Sequence, residues 1–142
     1  MKIEKVVIIG SGTMGSGIAA HLCNASIPVT LLDLKTEISE KARDRIFKSR
    51  PPLLLDKSKI NNIKVGNISD DFGTVKDADW VVEAVVERID VKHKIYEKIF
   101  KERKKGAIVS SNTSSIPIKV LSEKLTNEEK KDFCITHFFN PV

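Results

Sequence analysis

The sequence predicts an α/β fold, a doubly wound parallel sheet with helices on both faces. Three observations predict it. Continuous apolar runs without polar alternation, such as Val6-Val7-Ile8-Ile9, mark strands buried on both sides. Between them lie segments whose apolar residues recur four apart, one face of a helix. The joins are short, and alternating β and α with short joins places parallel strands side by side.

The elements follow in order. After Val6-Val7-Ile8-Ile9 come glycines, and from Thr13 the apolar positions Met14, Ile18 and Leu22, with Ala19 and Cys23 beside them, form a helix. Ile27-Pro28 breaks it, and Val29-Thr30-Leu31-Leu32 reads as a second buried strand ending at Asp33, which completes a βαβ unit. Ile38, Ala42 and Ile46 mark a helix stopped by Arg50-Pro51-Pro52, because proline lacks the amide donor and restricts the residue before it. Leu53 to Lys76 is weakly patterned, with Ile63-Lys64-Val65 before Gly66-Asn67 as a short strand and turn. A strand over Trp80 to Val86, a helix striped by Val91, Ile95, Tyr96, Ile99 and Phe100, and a strand at Ala107-Ile108-Val109 follow. Ile118, Leu121 and Leu125 suggest a further helix, and Cys134 to Phe139 a last strand.

Composition narrows the classes. The 142 residues make one domain, and a 41% hydrophobic, 30% charged chain is neither disordered, collagen-like nor a disulfide framework. No apolar run approaches the ~20 residues that span a bilayer, and the short run after Met1 does not make a signal peptide, so no membrane association is expected and the expected compartment is the cytoplasm. Cys23 and Cys134 lack metal-ligand spacing, and no metal is expected. The net charge of +5 does not point to nucleic acid, since basic and acidic residues alternate. The densest cluster, Lys101 to Lys105, ends a helical pattern where cations oppose the dipole.

Gly10-Ser11-Gly12-Thr13-Met14-Gly15 is a G-x-G-x-x-G between the first strand and the first helix. Gly10 allows the tight turn, Gly12 clears the backbone for a pyrophosphate, Gly15 lets helix and strand pack closely, and the helix N-terminus offers free amides to phosphate charge. Asp33 stands 18 residues after Gly15, at the end of the second strand. Its carboxylate can accept ribose hydroxyls and repels a 2′-phosphate, which favours NAD over NADP. Together these features make the sheet Rossmann-like. A Walker-type loop is excluded because no Gly-Lys-Ser/Thr follows the glycines.

In a parallel sheet all carboxyl ends face one crevice, so Glu87, Lys92, Asn112, Thr113, Ser114, His137 and Asn140 can meet near the cofactor. Other readings stand beside this one. Glu83 and Glu87 can be a strand-end and a helix-start acid. Ser111 to Ser115 can cap a helix before Pro117. His137, between Thr136 and Phe138-Phe139, can be a packed histidine.

Gly10 to Ala19, Asp33, Asp79-Trp80-Val81-Val82-Glu83-Ala84-Val85-Val86-Glu87 with Lys92, Ser111-Asn112-Thr113-Ser114-Ser115 and His137-Phe138-Phe139-Asn140-Pro141 together resemble the N-terminal NAD-binding domain of the 3-hydroxyacyl-CoA dehydrogenases. The resemblance covers essentially all of residues 1–142. Arg50-Pro51-Pro52-Leu53-Leu54 and Gly66 to Asp71 look like large bacterial members in which an enoyl-CoA hydratase-like domain follows. The resemblance implies oxidation of 3-hydroxyacyl-CoA to 3-oxoacyl-CoA in fatty-acid β-oxidation, with an acyl-CoA thioester as substrate. It implies a catalytic set of His137 as general base, Ser114 on the reacting oxygen and Asn140 beside the histidine. The implied cofactor set is Gly10, Gly12, Thr13, Met14, Gly15 and Asp33, with Glu87, Lys92, Asn112 and Ser114. An imidazole suits the base because its pKa lies near neutrality.

Two departures accompany the resemblance. The glutamate that the family pairs with its histidine, and the helical C-terminal domain, are absent from these residues, so the domain alone is expected to bind NAD and to be catalytically weak or dead. Ile135 stands where the family usually has glycine, which is expected to alter packing near His137. Three roles follow: a fragment carrying the NAD-binding domain, a subunit completed by a separate C-terminal polypeptide, or a non-catalytic NAD-binding module. Exposed apolar residues near the last strand suggest self-association into a homo-oligomer.

Overall fold

A computed structural model describes residues 2–142. Its strands are β1 (Val6–Ile9), β2 (Val29–Asp33), β3 (Ile63–Asn67), β4 (Trp80–Glu83), β5 (Ile108–Ser111) and β6 (Phe133–Ile135). The helices are α1 (Thr13–Asn24), α2 (Thr36–Lys48), α3 (Ile89–Glu102), α4 (Ile118–Leu121) and α5 (Asn127–Lys130). All strand pairs are parallel, in the order β3-β2-β1-β4-β5-β6. The chain moves outward from β1 through β2 to β3, then crosses back to β4 on the other side of β1. Strand order therefore reverses between β1 and β4, and the crevice outside their carboxyl ends is where such sheets bind ligands.

Side chains alternate across a strand, so one apolar run feeds two cores. Val6 and Ile8 join Val29 and Leu31 beneath α1 and α2, against Ile18, Leu22, Ala42 and Ile46. Val7 and Ile9 join Leu32, Val81 and Val109 on the opposite face, against Ile95, Tyr96 and Ile99 of α3 and Leu121 of α4. Two-sided burial is why β1 needs four consecutive apolar residues, all at most 2% exposed.

β3 takes in Gly66 and Asn67, expected as a turn, and β5 runs on through Ser110 and Ser111, whereas three elements are shorter than expected. The strand expected through Val86 stops pairing at Glu83: Ala84 N still donates to Ile9 O at 2.8 Å, and then the chain turns away, leaving Val86 62% exposed. The last strand, expected over Cys134 to Phe139, is only Phe133–Ile135, because its partner β5 ends at Ser111 and the last bond runs from Thr136 N to Ser111 O. The helix expected through Leu125 is a single turn, α4, followed by a separate turn, α5, whose capping box joins Thr126 and Glu129. Leu125 is buried all the same. In the weakly patterned stretch, 3-10 turns at Lys57–Asn62 and Phe72–Asp77 bracket β3.

Ile135 is accommodated within β6, half-buried against the second core. Cys23 and Cys134 are free thiols, and burial pushes both above the ordinary thiol pKa. Among the described residues no helix is long and apolar enough to cross a membrane, and no cluster of His, Cys, Asp and Glu could hold a metal ion.

Candidate functional site

The glycine turn is built on contacts that admit no side chain. Gly10 has φ +104°, and a Cβ there would collide with the Ala84 carbonyl at the end of β4. A Cβ on Gly15 would collide with the Gly10 carbonyl, so helix and turn touch backbone to backbone. Above Gly12, by contrast, nothing lies within 4 Å of a Cβ position. Gly12 is the N-cap of α1 and contributes no side-chain cap, so the first amides of the helix face that open space.

Asp33 holds the turn from the neighbouring strand. Its Oδ2 accepts Ser11 N at 2.7 Å and Ser11 Oγ at 2.6 Å, and its Oδ1 accepts Leu34 N at 2.7 Å. The Ser11 carbonyl in turn accepts Arg45 of α2 at 3.1 Å and Ser16 Oγ at 3.0 Å. Ser11 was hidden in the variable position of the motif. The available signal was its hydroxyl, next to a strand-end acid.

Two hollows adjoin along this edge and share Ala84 and Val85. One, of about 320 Å³, is largely apolar and is bordered by Gly10, Ser11, Gly12, Asp33, Leu34 and Val86. The other, of about 300 Å³, gathers Met14, Glu87, Lys92, Asn112, Ser114, His137 and Asn140. Most of the expected site residues therefore converge on one cleft that crosses the end of α1, with Thr13 exposed at its rim and Gly15 buried beneath. A larger hollow of about 520 Å³, between α3 and the α4–α5 turns, contains none of them.

The floor of the second hollow is a charged network. Glu83, 0% exposed, receives Lys92 Nζ at 2.7 Å and Val85 N at 2.9 Å on Oε1, and Tyr96 OH and Ser111 Oγ, both at 2.6 Å, on Oε2. A buried carboxylate is costly unless paired and hydrogen-bonded, and this one is both. Glu83 is thus a strand-end acid, but one that anchors the site. Lys92, 1% exposed, also lies 3.4 Å from Glu87 Oε1. Burial raises the Glu87 pKa, but the Thr113 hydroxyl at 2.8 Å, the Lys92 charge and the Ser114 amide outweigh it and leave the net shift downward. Burial, then the Glu83 charge, push the Tyr96 hydroxyl well above the usual phenol range, so Tyr96 stays a donor.

The polar run after β5 divides its labour. Thr113 Oγ1 accepts Ile116 N at 3.0 Å in a turn ahead of α4, whose N-cap is Pro117 with no side-chain cap, so the cluster does not cap the helix as the sequence allowed, and Ser114 is left exposed to the cleft. Asn112 Oδ1 accepts Phe138 N at 2.9 Å and so fixes the loop that carries His137. His137 is exposed, its ring 4.8 Å from Phe139, and is not a core histidine. Tyr96 and Ser111 are working parts that pattern reading assigned to a helix stripe and a polar run.

Comparisons with known proteins identify the family and the fold. Residues 5–142 match the family model described as the NAD-binding domain of 3-hydroxyacyl-CoA dehydrogenase. A Deinococcus radiodurans protein named "Probable 3-hydroxyacyl-CoA dehydrogenase" is 43% identical over 99% of this chain, which spans 43% of that protein. A Rickettsia felis protein named for a fatty acid oxidation complex trifunctional enzyme is 44% identical over 99% of this chain, which spans 20% of it. The crystal structure of 3-hydroxybutyryl-CoA dehydrogenase from Escherichia coli superposes with a TM-score of 0.85 at 30% identity, covering 99% of this chain and 30% of that one. The chain thus spans less than half the length of these relatives.

Proposed function

The chain belongs to the 3-hydroxyacyl-CoA dehydrogenase family as its NAD-binding domain, and from that footing we propose that it works in the NAD-linked oxidation of 3-hydroxyacyl-CoA thioesters, a step of fatty-acid β-oxidation. The observation that carries the reading is the convergence of His137, Ser114, Asn112, Asn140 and Glu87 on a hollow that adjoins the Gly12 and Asp33 hollow. The residues present suit the dinucleotide. Gly12 and the α1 amides would hold its pyrophosphate, and Asp33 its adenosine ribose, with Leu34 and Val86 along the apolar wall.

Bound NAD would supply the acceptor for the hydride on C3 of the substrate. The protein's part is the proton and the alignment. His137 takes the 3-hydroxyl proton as general base, a task an imidazole performs near neutral pH. Ser114 donates to the same oxygen as it becomes a carbonyl. Asn112 fixes the His137 loop, and Asn140 flanks it. The family's partner glutamate for the histidine, and the helical domain that closes the cleft, belong in this reading to the part of the relatives that lies outside these residues. Free thiols at Cys23 and Cys134 fit a reducing compartment, the cytoplasm in this reading.

Calorimetry with NAD and NADP, paired with an NADH-absorbance assay using acetoacetyl-CoA, tests the reading. We expect NAD binding with discrimination against NADP, and no measurable turnover by residues 1–142 alone. Turnover that appears on mixing with a helical C-terminal polypeptide would favour a two-chain enzyme. Equal affinity for NAD and NADP, or none for either, would overturn the cofactor assignment, and robust turnover by these residues alone would overturn the role given to the family's partner glutamate.

A further inference from the structure

Glu83, Lys92 and Glu87 form one hydrogen-bonded unit at the end of the cleft away from Asp33. Lys92 Nζ lies 2.7 Å from Glu83 and 3.4 Å from Glu87. Two carboxylates around one ammonium leave one net negative charge. Glu83 and Lys92 are almost wholly buried while the Glu87 side chain is 40% exposed, so this charge is only partly screened, and among the described residues the only other ionisable side chain bordering the hollow is His137.

We propose that this trio selects the oxidation state of the cofactor, favouring the cationic nicotinamide of NAD+ over the neutral ring of NADH. The inference rests on reading this hollow as the nicotinamide end. The two forms share adenosine, ribose and pyrophosphate, so those contacts cancel in the ratio of dissociation constants, and the ring charge is what remains. Glu87 and Lys92 border the hollow, whereas Glu83 lies behind them as a positioning residue that also contributes its charge. A site that holds the oxidised form more tightly favours departure of hydride from the reduced cofactor, by linkage.

The test is the ratio Kd(NAD+)/Kd(NADH), measured by calorimetry on the wild-type chain and on Glu83→Gln, Glu87→Gln and the double variant Glu83→Gln/Lys92→Met. Each single variant neutralises the trio, and the ratio should rise roughly fivefold, the scale of one partly screened charge nearby. The double variant restores one net negative charge and replaces a buried ion pair by neutral groups of similar size. Its ratio should return to within about twofold of wild type. Should Glu83→Gln fail to fold, Glu87→Gln, half-exposed, and the double variant carry the test alone. Equal losses of affinity for both nucleotides, or an unchanged ratio in Glu87→Gln, would overturn the proposal. Failure of the wild-type chain to bind either nucleotide would instead overturn the NAD reading beneath it.

Discussion

Single residues in the glycine turn separate folding from binding. Gly12 faces open space, whereas Gly15 faces the Gly10 carbonyl. Gly12→Ala should leave the melting temperature nearly unchanged and weaken NAD binding, because its methyl group enters the space the pyrophosphate needs. Gly15→Ala should destabilise the fold by about 1–3 kcal/mol, the cost of overpacking a tight contact. Thermal melts and calorimetry on both variants check the contrast, and similar melts for the two would refute it. Asp33→Ala removes acceptors for NAD and also for the Ser11 amide and hydroxyl. It should weaken NAD binding by roughly 1–3 kcal/mol and narrow the preference over NADP, read by titration with each nucleotide.

At the scale of elements, two carboxylates tie strands to helices. Asp79, just before β4, accepts Glu4 N at 2.8 Å and Lys5 N at 2.9 Å at the entry to β1, and Lys104 from beyond α3. The Lys104 hydrogen bond and then the two amides bring its pKa down from 3.8 to about 2. A depressed carboxylate contributes stability that is complete above its unfolded pKa and is lost as pH falls through the folded one. Denaturant midpoints should therefore drop between about pH 4 and pH 2, and drop less in Asp79→Asn. Equal slopes for the two proteins would dismiss this role. Tyr96 joins α3 to β4 through Glu83, while its ring packs edge-on at 5.0 Å against Phe133 of β6. Tyr96→Phe keeps the ring contact and removes a donor to a buried charge, a loss of about 1.5–3 kcal/mol in chemical denaturation. A cost near zero would mean that Glu83 finds another donor.

At the scale of the whole molecule, the cleft lies over the seam between the two cores, where β1 and β4 part. A ligand that spans it touches α1, the end of β2, the β4–α3 join and the loop after β6, so binding should stabilise the domain as one body. At a hundred times its Kd, NAD should add about 2.7 kcal/mol, which raises the melting temperature by roughly 6–11 °C for a chain of this size. Equimolar NADP should raise it less. A shift independent of nucleotide would detach the cleft from the cofactor.

Sequence alone determined the features encoded by short-range patterns. Burial on both sheet faces requires unbroken apolar runs, so β1 and β2 were legible, and helical spacing exposed α1, α2 and α3. The glycine turn and Asp33 were legible because their chemistry depends on spacing along one βαβ unit. Strand-end topology placed Ser114 and His137 among the candidates, and family resemblance gave them their roles. Tertiary structure decided where strands end, since β4 and β6 stop where the neighbouring backbone ceases to offer partners, and no apolar run records that. It also decided what Glu83 does: its partners Lys92, Tyr96 and Ser111 lie 9, 13 and 28 residues away. Only the parallel sheet, by bringing the ends of β4 and β5 and the first turns of α3 together, turns a strand-end acid into the buried anchor of the site.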